Sequence, residues 1–270
     1  MPVGVSGSSP GPASPAACHL VEAEGTDPLD PGAPPRTWRI VLDLGSGAFG
    51  PLQALAAPDE LDAVLLTHLH ADHCLDVTAL HVAAAYGPRR PAHSLPVWGP
   101  AGVRERISRA YEAEPGAELL GLPLRYLELA AREPVVVGPF TVLPVPVHHP
   151  VRAYGFRVTG PAEAGGADVV LAYTGDTDAG PGLLELAAGA DVLLTEASFV
   201  EVEHGGPDLR GVHLTGRRAG EAAREAGAAR VLLTHVPPWV DPAAVLDEAR
   251  HAYGFPDRVH LAEPGVVVEV

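Results

Sequence analysis

Apolar residues along the chain gather in short β-rich runs that alternate with Ala-rich helical stretches. The runs predict strands over residues 39–44, 63–67, 96–98, 135–137, 140–147, 154–158, 169–173, 192–195, 231–234 and 265–270. The Ala-rich stretches predict helices over 76–86, 102–113, 181–187, 215–226 and 242–253, most of them opened by Ser, Thr, Asp or Gly and closed near Gly. The order is β-rich then α, repeated twice, with a break near Glu133-Pro134. No short-period repeat or long linker divides the chain, and residues 160–167 (GPAEAGGA) read as a compact hairpin loop. Two similar α/β halves facing each other in one domain, residues 1–270, is the economical arrangement.

With 270 residues, 47% of them hydrophobic, the chain can bury a large core. All 18 positively charged residues are Arg. The lack of Lys excludes a Walker-type phosphate loop, a Schiff-base lysine and a pyridoxal-phosphate enzyme, each of which needs an ammonium group. A GC-rich genome accounts for the missing Lys, so it carries no function by itself. The formal charge of −16 argues against an extended nucleic-acid surface, which needs clustered basic residues. Cys18 and Cys74 are too few for a disulfide scaffold and are expected as reduced thiols. The opening residues lack the basic and apolar regions of a signal peptide, and no apolar run approaches the ~18 residues of a membrane span. A cytoplasmic protein without membrane contact is expected. The 13 His change the picture, because His is the commonest metal ligand.

Residues 67–73 read Thr67-His68-Leu69-His70-Ala71-Asp72-His73, directly after the apolar run Ala63-Val64-Leu65-Leu66. Alternation puts His68 and His70 on one side of an extended chain, and the following turn can aim Asp72 and His73 at a neighbouring point. One pair for each of two adjacent metals follows from that geometry. Such a site needs further ligands, and the candidates also stand at strand ends: His148-His149 after 140–147, Asp176 after 169–173, and His235 after 231–234.

These residues, in this order, resemble the metallo-β-lactamase superfamily, and within it the phosphodiesterase branch around ribonuclease Z. The likeness extends to His149 before Tyr154-Gly155-Phe156-Arg157, to Thr195-Glu196-Ala197-Ser198-Phe199, to His213-Leu214-Thr215, and to the first loop Ser6-Gly7-Ser8-Ser9-Pro10-Gly11-Pro12. The run 71–76 and Leu233-Thr234-His235-Val236-Pro237-Pro238-Trp239 are similar, more narrowly, to actinobacterial atypical cyclic-nucleotide phosphodiesterases. The resemblance implies a four-layer αββα sandwich with two mixed β-sheets and a homodimer. It implies that His68, His70 and His149 hold one zinc, that Asp72, His73 and His235 hold the other, and that Asp176 bridges them. A His/Asp set also accepts manganese or iron. Water activated between the ions would attack the phosphorus, with Asp72 also orienting it, and His213, oriented by Glu196, would protonate the leaving group.

One departure separates this chain from ribonuclease Z proper, which carries a long Gly/Pro-rich arm that grips tRNA. Only residues 159–168 separate the two strands where that arm belongs. With the −16 charge, this favours a small phosphodiester such as cAMP as substrate over tRNA. The competing readings are a tRNA 3′-processing endonuclease, a thioester or lactam hydrolase on the same metals, and a metal-binding scaffold without turnover.

Weaker signals complete the reading. Gly45-Ser46-Gly47-Ala48-Phe49-Gly50 has the G-x-G-x-x-G form of a dinucleotide fold, but the next strand ends in Thr67-His68 where a ribose-binding acid belongs. A tight loop near the metals, with Asp43 supporting a ligand, is the better account. Cys74 is expected as a packed thiol. His19, His81, His93, His204, His251 and His260 are expected at the surface or in structural roles. His148 either meets substrate or points the other way along its strand. Arg89-Arg90 and Arg217-Arg218 read as solvated faces, either of which could approach a substrate phosphate.

Overall fold

The computed structural model describes residues 1–28, 30–111, 123–163, 165–201 and 210–270. Strands β1 (Pro2–Gly4), β2 (Cys18–Gly25), β3 (Arg36–Leu44), β4 (Ala63–Leu65), β5 (Leu95–Gly99) and β6 (Leu124–Glu128) lie side by side in chain order as a six-stranded sheet. Strands β7 (Val135–Val137), β8 (Phe140–Pro146), β9 (Tyr154–Gly160), β10 (Val169–Tyr173), β11 (Val192–Glu196), β12 (Arg230–Thr234) and β13 (Val259–Leu261) form a seven-stranded sheet, also in sequential order. Both sheets are mixed. Pairing is antiparallel from β1 to β3 and parallel from β3 to β6, then antiparallel from β7 to β10 and parallel from β10 to β13. The chain changes sheets between Glu128 and Val135.

Alternation along the strands explains the layering, because successive side chains leave opposite faces. Val41, Val64, Leu66 and Val97 pack with Leu52 of α1 (Phe49–Gln53), Leu80 of α3 (Val77–Tyr86) and Ile107 of α4 (Val103–Ala110). The short helix α2 (Ala71–Cys74) lies between α1 and α3 in the chain. In the other half, Leu193, Val231 and Leu233 pack with Leu183 of α5 (Pro181–Ala187), Ala219 of α6 (Gly216–Ala226) and Val245 of α7 (Pro242–Tyr253). The intervening strand residues, Ile40, Leu42, Ala63 and Leu65 from one sheet, and Phe156, Val158, Tyr173, Leu194 and Leu232 from the other, fill the space between the sheets. Helices outside and two sheets within make the expected four-layer αββα sandwich. Among the described residues, no helix is long and apolar enough to cross a membrane.

The directions of the strands place the functional loops together. β3 and β4 run parallel, so the chain leaves both at one rim of the first sheet. β8 and β10 are each antiparallel to β9, and β10 to β12 are parallel, so residues following β8, β10, β11 and β12 leave one rim of the second. The two rims meet where the Tyr154 amide donates to the Thr67 carbonyl at 3.0 Å.

Several sequence expectations need correction. Residues 265–270 are not a strand: Val259–Leu261 takes the place beside β12, and the Val-rich tail runs past it unpaired, with Val268 and Val270 packed onto the inter-sheet layer. Only Val268 and Val270 are half-buried, while Val266 and Val267 are exposed, so β-propensity there does not report ladder pairing. Strands β1, β2 and β6 were not foreseen; in β2, Glu22 and Glu24 interrupt the apolar signal while pointing outward. The helix expected over 102–113 is seen as Val103–Ala110, and residues 112–113 lie outside the described residues.

Phe156 is fully buried between the sheets whereas Val136 is 61% exposed on β7. Phe156→Ala should therefore lower unfolding free energy by about 3–5 kcal/mol. Val136→Ala should change it by less than about 0.5 kcal/mol. Chemical denaturation of the two variants checks the layering.

Candidate metal centre

His70 keeps an extended backbone (φ −68°, ψ 153°) as the N-cap of α2, so His68 and His70 precede the helix and Asp72 and His73 lie within its single turn. This change of backbone sends the two pairs to adjacent points. Donor atoms of His68, His70, His149 and Asp176 all lie within 4.8 Å of one another, and those of Asp72, His73, Asp176 and His235 form a second such group. Asp176 is common to both. Its Oδ1 lies 3.0 Å from His73 Nε2 and 3.2 Å from His235 Nε2, while Oδ2 faces His68 Nε2 at 3.7 Å.

Within the groups, ring nitrogens confront each other directly: His68 Nε2 and His70 Nδ1 at 3.0 Å, His149 Nε2 and His70 Nδ1 at 3.3 Å, His73 Nε2 and His235 Nε2 at 3.1 Å. Donors held tetrahedrally around zinc are separated by about 3.3 Å, given zinc–nitrogen distances of about 2.0–2.1 Å.

The opposite nitrogens show which way each ring is protonated. His73 Nδ1 lies 2.8 Å from Asp43 Oδ2, and His149 Nδ1 lies 2.9 Å from the Val212 carbonyl. Both partners can only accept, so both rings donate outward. Thr67 Oγ donates to Asp43 at 2.8 Å and so accepts from His68 Nδ1 at 3.1 Å. Likewise, Ser198 Oγ donates to Glu196 Oε2 at 2.7 Å and accepts from His235 Nδ1 at 3.0 Å. With each outer nitrogen carrying the proton, the inner nitrogens of these four rings present lone pairs. Support of this kind fixes the tautomer and orientation of metal-binding imidazoles.

Charge points the same way. Asp43, Asp72, Asp176 and Glu196 are buried together, the most exposed of them being Asp72 at 8%. Among the described residues, no Arg pairs with any of the four. Among the described residues, none hydrogen-bonds the buried Asp176 Oδ1, despite the two imidazole nitrogens beside it. Two divalent cations would offset four carboxylates, and the donor set suits them. Burial favours the neutral rings of His68 and His149 by lowering their proton affinity. At His73 burial acts in the same sense, but Asp176 and Asp43 outweigh it and raise the ring well above its ordinary value. The negative field that attracts a proton there would equally attract a cation.

Glu196 holds the remaining polar residue of the site. Its Oε1 accepts from Thr177 N at 2.6 Å and lies 3.1 Å from His213 Nδ1, and its Oε2 accepts from Leu214 N at 3.1 Å. Burial opposes a charge on His213, but the Glu196 carboxylate, with help from Asp176, raises the ring to about 9.

Close backbone approach accounts for the glycine pattern. A Cβ on Gly45 would sit 1.8 Å from the Asp72 carbonyl oxygen, and one on Gly7 would sit 2.1 Å from that of His235. The G-x-G-x-x-G run is thus the tight loop that lets Asp43 reach His73. Asp43 and His235 themselves occupy the left-handed region at φ 58° and 60°. Such positions cost about 1–3 kcal/mol each and persist where the surroundings over-determine them.

The other sequence candidates fall outside the cluster. Cys74 is buried in the helix-side core, which pushes its thiol up to about 11. His148 is exposed, and its backbone rather than its ring holds the corner, by bonds to Thr177 Oγ and from Asp178 N. His19 and His81 are buried, His93, His251 and His260 are exposed, and His204 lies outside the described residues. Arg89 and Arg217 are solvated, as expected. Arg218 is not: it is 5% exposed and paired with Asp178 and Glu201. The solvated-face reading failed there because the carboxylates that cover Arg218 come from distant segments.

Two mixed sheets whose adjoining rims gather this donor set define a metallo-hydrolase. Residues 38–236 match the family model described as the beta-lactamase superfamily domain, and the chain belongs to that superfamily. It is 39% identical over 259 residues to "Uncharacterized protein Rv1339" of Mycobacterium tuberculosis, covering 94% of this chain and 86% of that protein. Ribonuclease Z of Myxococcus xanthus is 27% identical over 281 residues, covering 86% of this chain and 88% of the relative. "Probable metallo-hydrolase YhfI" of Bacillus subtilis is 28% identical over 235 residues, covering 86% and 88%. The crystal structure of YhfI shares this fold at a TM-score of 0.80, covering 100% of this chain and 98% of that one.

Among the described residues, Asp43 meets the cluster only through His73 and Thr67, so its substitution tests whether these rings are held for a cation. Asp43→Asn should weaken divalent-metal binding by about 10–100-fold in competition with a chromophoric chelator. Wild-type affinity in this variant would show that the rings need no such support.

Proposed function

We propose that this metallo-hydrolase is a phosphodiesterase whose substrate is a small phosphodiester, a 3′,5′-cyclic nucleotide such as cAMP. The Glu196–His213 pair carries the reading. Cleaving a phosphodiester expels an alkoxide, which gains more from a proton donor than the thiolate released from a thioester does. Glu196 takes His213 Nδ1 at 3.1 Å, and among the described residues no hydrogen bond engages Nε2, which leaves that nitrogen for the departing oxygen. The carboxylate keeps the ring in its proton-bearing form.

In this reading His68, His70 and His149 hold one cation, Asp72, His73 and His235 hold the second, and Asp176 contributes to both. Zinc or a similar divalent cation at these positions would acidify a water molecule and polarise the phosphoryl oxygens. Asp72, besides its role as a ligand, would orient the attacking water.

Similarity to a ribonuclease Z supports phosphodiester chemistry. Size and charge support a small substrate. β9 ends at Gly160 and β10 begins at Val169, so no long arm separates them. A net charge of −16 would repel a polyanion, whereas a cyclic diester brings a single phosphate.

Purified protein should hydrolyse cAMP, and chelation should abolish the activity. His213→Ala should lower kcat by about 10²–10⁴-fold with metal content unchanged. Parallel assays on cGMP, 2′,3′-cyclic nucleotides and pre-tRNA test the substrate, and rapid pre-tRNA cleavage without cyclic-nucleotide turnover would overturn it. Metal-replete protein inert toward bis-p-nitrophenyl phosphate would instead indicate a scaffold.

A further inference from the structure

Arg217 and Arg218 are neighbours in the first turn of α6, yet their environments are opposite. Arg217 lies on the surface and pairs with Glu221 at 2.9 Å. Arg218 is 5% exposed. Its Nη1 binds Asp178 Oδ1, and its Nε donates to Glu201 Oε2 at 3.1 Å. Among the described residues, no acceptor meets its buried Nη2. A buried ion pair contributes little net stability, since desolvation offsets the Coulombic gain, and an orphaned donor adds to the cost. What the pair does supply is fixed geometry.

Asp178 stands two residues beyond Asp176 and joins three segments. Its amide donates to the His148 carbonyl at 2.8 Å, and its Oδ2 accepts from Gly211 N at 2.6 Å. The residue after Gly211 offers the carbonyl that takes His149 Nδ1, and the next residue is His213. The route from Arg218 therefore runs through Asp178 and Gly211 to the Val212 carbonyl and the His149 ring. The Asp72, His73 and His235 group is supported by Asp43 and Ser198, and among the described residues no hydrogen bond joins it directly to Arg218 or Asp178.

We propose that Arg218 is a positioning residue for half of the centre: by clamping Asp178 it holds the 211–213 segment that orients His149 and carries His213. This inference rests on the metal-dependent reading above. It makes an asymmetric demand, because loss of the clamp should loosen the His68/His70/His149 position and leave the other position intact. A general loss of structure would weaken both.

The test is titration of the metal-stripped full chain with Co²⁺, which reads site affinities directly, without substrate. Wild type should bind two equivalents. Arg218→Met should keep one site at wild-type affinity and weaken the other by about 10–100-fold, the range seen when a ligand's support is removed. Arg218→Lys, which keeps the charge but not the forked contact, should recover part of the loss. The double variant Arg218→Met/Asp178→Asn removes both buried charges together. It guards against misfolding of the single variant and should be no worse than it, because residues acting as a unit are non-additive. Arg217→Ala should match wild type. Two wild-type sites in Arg218→Met, or equal weakening of both, would overturn this inference alone. Wild-type protein that binds fewer than two equivalents would overturn it together with the metal reading.

Discussion

Asp43, Asp72, Asp176 and Glu196 are withdrawn from water at one place, and each buried carboxylate costs several kcal/mol unless it meets positive charge or hydrogen-bond donors. Glu196 meets its requirement locally, through Thr177 N, Leu214 N, Ser198 Oγ and His213. Asp43 does so through Thr67, Tyr173 and His73. Asp72 and Asp176 do not: they face imidazole nitrogens whose protons have been directed to the far side of the ring. The pattern makes sense as a receptacle for cations. It also dictates the backbone around it, with glycine where Gly45 and Gly7 approach the ligand loops and left-handed conformations at Asp43 and His235.

The sandwich exists in a form that serves this cluster. Each half supplies parallel strands ending at one rim, and the inter-sheet layer of Ile40, Leu42, Leu65, Phe156 and Leu194 sets the rims against one another. Tyr173 illustrates the coupling. Its ring belongs to that layer while its hydroxyl donates to Asp43 at 2.8 Å, so the packing of the core and the orientation of His73 share one side chain. The two halves contribute different things to the site. The first brings four candidate ligands within 68–73, and the second brings His149, Asp176 and His235 from just beyond the ends of β8, β10 and β12.

Much of this was legible in the sequence because its signals are local. His68, His70, Asp72 and His73 stand together after an apolar run, and His149, Asp176 and His235 repeat the same strand-then-ligand order. Asp43 and the glycine loop could be placed near this cluster for the same reason. Arg218 was illegible: on a helix beginning Gly-Arg-Arg nothing distinguishes it from Arg217, and its burial depends on Asp178 and Glu201 arriving from 40 and 17 residues away. The tail at 265–270 misled for a related reason. Strand propensity describes how a segment fits a half-buried surface, and only the competing position of Val259–Leu261 decides that the tail stays unpaired. The unforeseen β2 shows the converse, since alternation with Glu22 and Glu24 concealed a strand whose Cys18, His19 and Leu20 are buried.

The central claim is that the inward nitrogens of these rings, with Asp72 and Asp176, form two adjoining cation sites in one chain. Metal-stripped protein titrated with Zn²⁺ by isothermal calorimetry, with metal content verified by elemental analysis after gel filtration, measures this directly. The account predicts two equivalents per chain, with both lost in Asp176→Ala because that carboxylate serves the two groups. Retention of two equivalents by Asp176→Ala, or fewer than two in the wild type, would contradict it.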